Sequence, residues 1–432
     1  MPKPKSKQAP GLALRLKAAE RLQLVLKGAS FAPLYATEIA DARDRAVANR
    51  LITTALRYHG PISALAGQLL ERGMPKKSGR FEAILHLSLA QLLFLPDLGD
   101  HSALFLAGEA LRADVRTQHL IKLMNGVLRE AQRRRDDVEI KASTLFPPAL
   151  LQKWRFAYGA EAVEAFGAAL IEGAPLDVTL KADAPAMVES LGGRVLLADS
   201  VRIDVRDRPV DQLHGYAEGR FWVQDAAAAI PARLFNLHAG ARVLDIGAAP
   251  GGKTAQLVKA GYAVTALDRD PSRVERLRDN LKRLNYTAEI VTADFLNYGT
   301  ATPFDGVLLD APCSATGTFR RHPEVVWHRN PADIQSRVAL QRQLIERAAL
   351  CLNPGGVLIY CVCSLEPQEG ESQVDWALSQ GLEPMPVTAE ELDGWAAPVT
   401  KDGYVRTHPG LTVPGEKGGT LDGFFIARFR RR

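Results

Sequence analysis

Residues Ala241–Thr254 read ARVLDIGAAPGGKT: an aliphatic run, an acid, a glycine-rich turn and the opening of a helix. A strand that ends on a carboxylate and turns through Gly247, Gly251 and Gly252 into a helix starts a βα unit. The pattern recurs downstream. AVTALD, AEIVTAD, GVLLDAP and GGVLIYC have the length and aliphatic content of buried strands, and GKTAQLVKAG, PSRVERLRDNLKRLN and SRVALQRQLIERAALCL lie between them as helices. This alternation predicts a parallel, doubly wound α/β domain that binds its ligands at the carboxyl ends of the strands. Those ends carry Asp245, Asp268, Asp294, Asp310 and Cys361.

The glycine turn supports two readings. Gly247, Gly252, Lys253 and Thr254 satisfy G-x4-G-K-[ST], the loop that cradles a nucleoside triphosphate, and GVLLDAP passes for the metal-binding acidic strand that goes with it. An ATPase or GTPase is therefore a rival. Yet Asp245, Asp268, Asp294 and Asp310 converge on one cleft and would repel phosphates. S-adenosylmethionine inverts that logic, because its sulfonium and ammonium are cationic and an acid ending the second strand suits ribose hydroxyls. The acids favour that cofactor.

Upstream, the chain changes character. At about 150 residues per domain, 432 residues predict about three domains. A basic flexible tail over 1–10 precedes an all-α stretch over 11–138, in which LRLKAAERLQLVL, ATEIADARDRAVANRLITTALRYHG, GRFEAILHLSLAQLLFL, HSALFLAGEALRAD and HLIKLMNGVLREAQRRR carry apolar residues at helical spacing. Breaks are expected at Gly60–Pro61, Pro75 and Pro96. Its scattered His59, His86, His101 and His119 lack the spacing of a metal site and read as structural or surface residues. A small α+β connecting module follows over 139–232, with helices in LLQKWRFAYGAEAVEAFGAALIEG, strands in VTLKAD, GGRVLLAD and VRIDV, and a helix starting near Gln224 and Asp225. The α/β domain occupies 233–432.

Four cysteines, all between Cys313 and Cys363, cannot form a disulfide framework across the chain, so a cytoplasmic, reducing setting is expected. The N-terminus reads as neither a signal peptide nor a membrane span, so neither is expected there. Cys313 follows the fourth strand of the α/β domain; Cys361 and Cys363 end the fifth. If those strands are neighbours, thiols from both loops meet over the cleft. A thiolate beside a methyl donor suits a pyrimidine substrate, since carbon 5 of cytosine attacks a sulfonium methyl only after a nucleophile has added to carbon 6. A zinc site built from Cys361, Cys363 and Cys313 lacks ligand spacing and a fourth ligand, so no metal is expected. Cys351 and Cys361 read as core residues.

At this point DAPCS, Asp310–Ser314, and CSLEP, Cys363–Pro367, resemble motifs IV and VI of the RNA cytosine-C5 methyltransferases, with VLDIGAAPGGKT as motif I. The resemblance extends along the chain. HSALFLAGEALR and LMNGVLREAQRR are similar to NusB-like RNA-binding domains, GRFWVQD and LDGFFIARF look like further family segments, and the domain order is that of bacterial small-subunit ribosomal RNA methyltransferases of the RsmB (Sun/Fmu) type. It implies a Rossmann-like class I methyltransferase domain, S-adenosylmethionine as cofactor and RNA as substrate. It further implies Cys363 as nucleophile, Cys313 as the residue assisting product release, and Asp310 at the reaction centre. Main-chain groups of Gly247, Ala248, Ala249, Pro250, Gly251 and Gly252, with Lys253, would hold the methionine part of the cofactor; Asp268 would hold the ribose and Asp294 the adenine region. Two departures stand out: Gly247 where many members have cysteine, and Cys361–Val362 where a Ser-Thr pair is commoner.

Net charge is +5, and the basic residues cluster at KPKSK, Arg133–Arg135, Arg320–Arg321 and RFRRR. Such runs are the electrostatic footprint of nucleic-acid binding, with Arg320 and Arg321 as candidate phosphate contacts. Transfer RNA as the substrate, and an RNA-binding scaffold without catalysis, complete the alternatives. No protein partner is readable.

Overall fold

The computed structural model describes residues 9–182, 185–203, 209–415 and 421–432. In chain order the helices of the N-terminal stretch are α1 Leu12–Leu26, α2 Ala42–Arg57, α3 His59–Leu69, α4 Phe81–Phe94, α5 Asp100–Arg112, α6 Ile121–Arg133 and α7 Ala142–Leu145. Next come α8 Pro148–Tyr158, α9 Ala160–Glu172, β1 Leu176–Leu180, α10 Pro185–Ser190, β2 Gly193–Leu197, β3 Ser200–Ile203 and β4 Phe221–Val223. The remainder runs α11 Ala226–Arg233, β5 Arg242–Ile246, α12 Gly252–Lys259, β6 Ala263–Asp268, α13 Pro271–Leu284, β7 Glu289–Thr292, β8 Phe304–Asp310, α14 Val325–His328, α15 Pro331–Leu350, β9 Leu352–Val362, α16 Val374–Ser379, β10 Leu382–Pro384, β11 Val405–Thr407 and β12 Phe424–Arg431.

The chain divides into two compact units, where the sequence suggested three. One unit holds the chain up to Lys153 together with His322–His328; the other holds Trp154–Arg321 and Arg329–Arg432. The basic run KPKSK and the last two residues of VRIDV lie outside the described residues.

The first unit is a helical bundle around α4, in which Phe81 and every residue from Ala83 to Leu92 are buried. A helix apolar all round must sit at the centre of its bundle, and α1, α2, α5 and α6 cover it. Gly60 and Pro61 do not separate helices as expected. The break falls at Tyr58, and Pro61 sits in the first turn of α3, where its missing amide costs no helical bond. His59 and His86 pack with ring centroids 5.3 Å apart, and burial, with lesser repulsion from neighbouring imidazoles, pushes them down to about 4 and about 3. His86 is buried and His59 half-buried, so both are structural residues. The segment His322–His328 belongs to this unit: Glu324 accepts from the Phe31 amide at 2.9 Å, and the Trp327 ring meets His59.

In the second unit, β1–β4 form a four-stranded antiparallel sheet of order β2-β3-β1-β4. Here the expected connecting module merges with the α/β domain. Arg202 of β3 and Asp177 of β1 form a buried pair, the same carboxylate accepts from the Ala226 amide of α11 at 3.4 Å, and Lys259 of α12 donates to Leu180 O at 2.8 Å. These bonds leave no flexible boundary at 232.

The second sheet has eight strands in the order β10-β12-β9-β8-β5-β6-β7, with β11 paired to β12. The five strands read from the sequence, β7-β6-β5-β8-β9, are all parallel. The expectation of a wholly parallel sheet needs correction, because β12 joins β9 antiparallel and carries β10 and β11 with it. Local signals fix the helices between. In α13, Asp270 caps the Ser272 and Arg273 amides, Pro271 takes the first position, Val274, Leu277, Leu281 and Leu284 form the buried stripe, and Asn285 closes the helix at φ 52. In α15, Asn330 and Asp333 form a capping box ahead of twenty helical residues. Among the described residues no helix is long and apolar enough to cross a membrane.

Candidate active site

The carboxyl ends of β5, β6 and β8 border a cleft of about 290 Å³ in the second unit. Gly247, Asp268, Asp294, Asp310, Cys313 and Cys363 all line it. The other expected glycine-loop residues lie behind this wall. The Gly247 and Ala248 amides donate to Leu267 O at 2.9 and 3.2 Å, the Ala249 amide to Asp268 Oδ2 at 3.2 Å, and the Gly251 amide to Ala248 O at 2.8 Å. Their bonds shape the loop and tie it to the end of β6. Gly247 has φ 76, and a Cβ there would lie 2.5 Å from Asp310 O, so a larger residue would require the end of β8 to shift.

Lys253 takes a different partner from the one expected. Its Nζ lies 2.8 Å from Asp310 Oδ2, with side-chain exposures of 12% and 27%. Burial lowers the Lys253 pKa, but Asp310 and the neighbouring acids outweigh it and hold the ammonium above its ordinary range. Lys253 therefore neutralises the acid at the end of β8. Asp245, fully buried, accepts from Thr254 Oγ1 at 2.6 Å, and burial pushes its carboxyl up to about 7. Asp268 is buried and receives the amides of Ala249 and Asp270, with Arg273 at 3.4 Å, while Asp294 is exposed and caps the Leu296 amide.

The two cysteine loops meet because β8 and β9 are hydrogen-bonded neighbours, with Asp310 paired to Cys361 in the register. The sulfurs of Cys313 and Cys363 are 3.5 Å apart. Cys313 is the more buried, and its contact with Cys363, then burial, pushes its thiol well above the ordinary range. Cys361 is fully buried with Sγ 3.8 Å from Asp310 Oδ1, and Cys351 is buried below the sheet in the core cluster of α15. Glu369, which sequence reasoning passed over, lies behind both cysteine loops and is fully buried. One of three acids in EPQEGE, it looks like solvated surface, and nothing in its spacing points inward.

Arg320 is not an RNA contact. It is 1% exposed, and its guanidinium lies 2.7 Å from Asp225 and 2.9 Å from Asp422. Two acids remote in sequence enclose it, one from the cap of α11 and one from the turn before β12. Arg320→Ala is expected to leave Asp225 buried without a counter-charge and Asp422 with Arg321 alone, costing about 3–5 kcal/mol. Thermal denaturation should show a large fall in midpoint. Arg321 binds the other oxygen of Asp422 but keeps 41% of its side chain exposed.

The cleft fits the cofactor expected from the sequence, S-adenosylmethionine. Its wall presents three acids, Asp268, Asp294 and Asp310, two arginines, Arg269 and Arg273, and apolar Leu267, Phe295 and Leu344, a lining suited to ribose hydroxyls, an adenine face and a zwitterionic methionine part. Among the described residues no group of three acidic, cysteine or histidine side chains is placed to hold a metal ion.

Comparison with known proteins agrees with this geometry. Residues 232–430 match the family "16S rRNA methyltransferase RsmB/F", and residues 14–133 match the NusB family. The chain is 35% identical to ribosomal RNA small subunit methyltransferase B of Xanthomonas campestris pv. campestris, over 97% of both chains. It is 32% identical to the protein of that name from Cronobacter sakazakii, over 97% of this chain and 99% of that one. The crystal structure of PH0851 shares the fold over 98% of both chains, with a TM-score of 0.76 at 21% identity. With relatives above 30% identity along almost its whole length, the chain belongs to the RsmB family of 16S rRNA methyltransferases.

Proposed function

We propose that this chain transfers a methyl group from S-adenosylmethionine to carbon 5 of a cytosine in small-subunit ribosomal RNA, with Cys363 as nucleophile. The observation that carries the chemistry is the pair of sulfurs 3.5 Å apart on the cleft wall. The Cys363 thiolate adds to carbon 6 of an extruded cytosine, which turns carbon 5 into an enamine-like nucleophile. When bound, S-adenosylmethionine supplies the electrophilic methyl group that carbon 5 takes. A base in the cleft then takes the carbon 5 proton; the electrons of that C–H bond re-form the ring double bond as the carbon 6–sulfur bond breaks and the Cys363 thiolate leaves. Cys313, held as a neutral thiol beside Cys363, assists this release. Asp310 faces the cytosine edge that gains charge on addition, and its pairing with Lys253 tempers the acid's own charge there.

Asp268 takes the ribose and Asp294 the adenine region. Gly247, whose conformation leaves the loop without a side chain, lets the methionine part approach the main chain. Arg321 is the basic residue after motif IV that retains an exposed face for phosphate. The protein acts in the cytoplasm, where its ribosomal substrate is made.

Incubation with labelled S-adenosylmethionine and unmodified 16S rRNA, followed by digestion to nucleosides, should place the label in 5-methylcytidine. Label in another nucleoside, in transfer RNA alone, or magnesium-dependent ATP hydrolysis without methyl transfer would contradict the reading.

A further inference from the structure

Glu369 collects hydrogen bonds from both cysteine loops. Its Oε1 accepts from the Ser314 amide at 2.8 Å and Gln341 Nε2 at 3.1 Å; its Oε2 accepts from Ser314 Oγ at 2.5 Å and Ser364 Oγ at 2.6 Å. Ser314 and Ser364 directly follow Cys313 and Cys363, and their hydroxyl oxygens are 3.0 Å apart. The glutamate is itself anchored, since Tyr360 donates its phenol to Glu369 O at 2.6 Å. Gln341, besides meeting the carboxylate, donates to Pro312 O at 3.0 Å. One buried carboxylate thus spans two loops that only the neighbouring of β8 and β9 brings together.

We infer that Glu369 is the positioning residue that keeps Cys313 in register with Cys363, so that product release keeps pace with addition to the base. This rests on the thiol roles proposed above. The two loops depend on the carboxylate unequally. The Cys363 side is tied to it through the Ser364 hydroxyl, and it keeps the Gly317 amide on Cys363 O at 3.1 Å and Arg406 on Ser364 O at 2.5 Å. The Cys313 side is tied through both amide and hydroxyl of Ser314, and it keeps Arg329 on Ser314 O at 2.8 Å while losing the partner of a buried amide. Loss of Glu369 therefore loosens the Cys313 loop first. Elimination suffers before addition.

Glutamine is nearly isosteric but loses the charge and one acceptor: its amide would face the Ser314 N–H and Gln341, which only donate, or force both serine hydroxyls to reverse from donors to acceptors. In the full-length protein, Glu369→Gln is expected to lower turnover about 10–100-fold, the cost of an ångström-scale misplacement. The KM for S-adenosylmethionine should stay within about threefold, because binding is not what is lost. The signature is a labelled RNA–protein adduct on a denaturing gel with Cys313 still in place, and Glu369→Asp, which keeps the acceptors, should recover part of the turnover. If Glu369→Gln does not fold, Ser314→Ala, which removes the hydroxyl tie on the Cys313 side, should show the same adduct more weakly, and its absence there overturns the inference. Slow turnover of Glu369→Gln without adduct, when Cys313→Ala forms one, also overturns it and leaves the thiol roles standing. No adduct in Cys313→Ala, while the parent protein methylates, defeats the thiol roles, and the inference falls with them.

Discussion

Cys363→Ala is expected to abolish methylation, lowering the rate on the order of 10⁴-fold or more, as removal of a covalent nucleophile does. The replacement deletes one sulfur at the edge of the cleft and touches none of the carboxylates that line it. Binding of S-adenosylmethionine should therefore persist. Calorimetric titration with the cofactor, run beside the methylation assay, separates the two effects. A variant that binds cofactor and RNA as the parent does, yet transfers no methyl group, is the expected outcome. Retention of even a tenth of the activity would move the nucleophile elsewhere, with Cys313 the next thiol in reach at 3.5 Å.

Cys313→Ala should have a different phenotype. Addition through Cys363 and methyl transfer remain possible, but release of the methylated base is impaired, so covalent RNA–protein complex should build up. On a denaturing gel the complex should carry label from the cofactor and vanish on ribonuclease treatment. The position of Cys313 supports this division of labour. Its thiol is buried against Cys363 and kept neutral by that contact and by burial, which makes it a poor attacking group and suits it to act after the methyl transfer. Cys313→Ala/Cys363→Ala should form no complex at all.

Much of this site was legible because its parts obey short-range rules. The turn after β5 favours glycine at a positive φ, the acids mark the ends of parallel strands, and the spacing of strands and helices made β8 and β9 plausible neighbours, bringing Cys313 to Cys363. What escaped depends on partners remote in sequence. Arg320 carried the signal of a surface phosphate contact, and only Asp225, 95 residues away, and Asp422, 102 residues away, turn it into a buried charge. Lys253, read as a cofactor contact, also pairs with Asp310, 57 residues on, a partner that no local pattern states. The antiparallel β12 was hidden for another reason: FFIARFRR has apolar and basic residues in irregular order, and no local feature states which edge of the sheet it joins. The segment His322–His328 lies within the α/β stretch of the sequence yet packs in the helical unit, through bonds such as Phe31 to Glu324 that no local pattern encodes.

The central claim is that Cys363, not Cys313 or Cys361, bonds to the base. It is tested most directly by digesting the complex trapped with Cys313→Ala using protease and ribonuclease, then sequencing the surviving peptide–nucleotide adduct by mass spectrometry. A methylated cytidine nucleotide on Cys363 is the predicted result. The same mass carried on Cys361, or on any residue outside the cleft, would contradict the account.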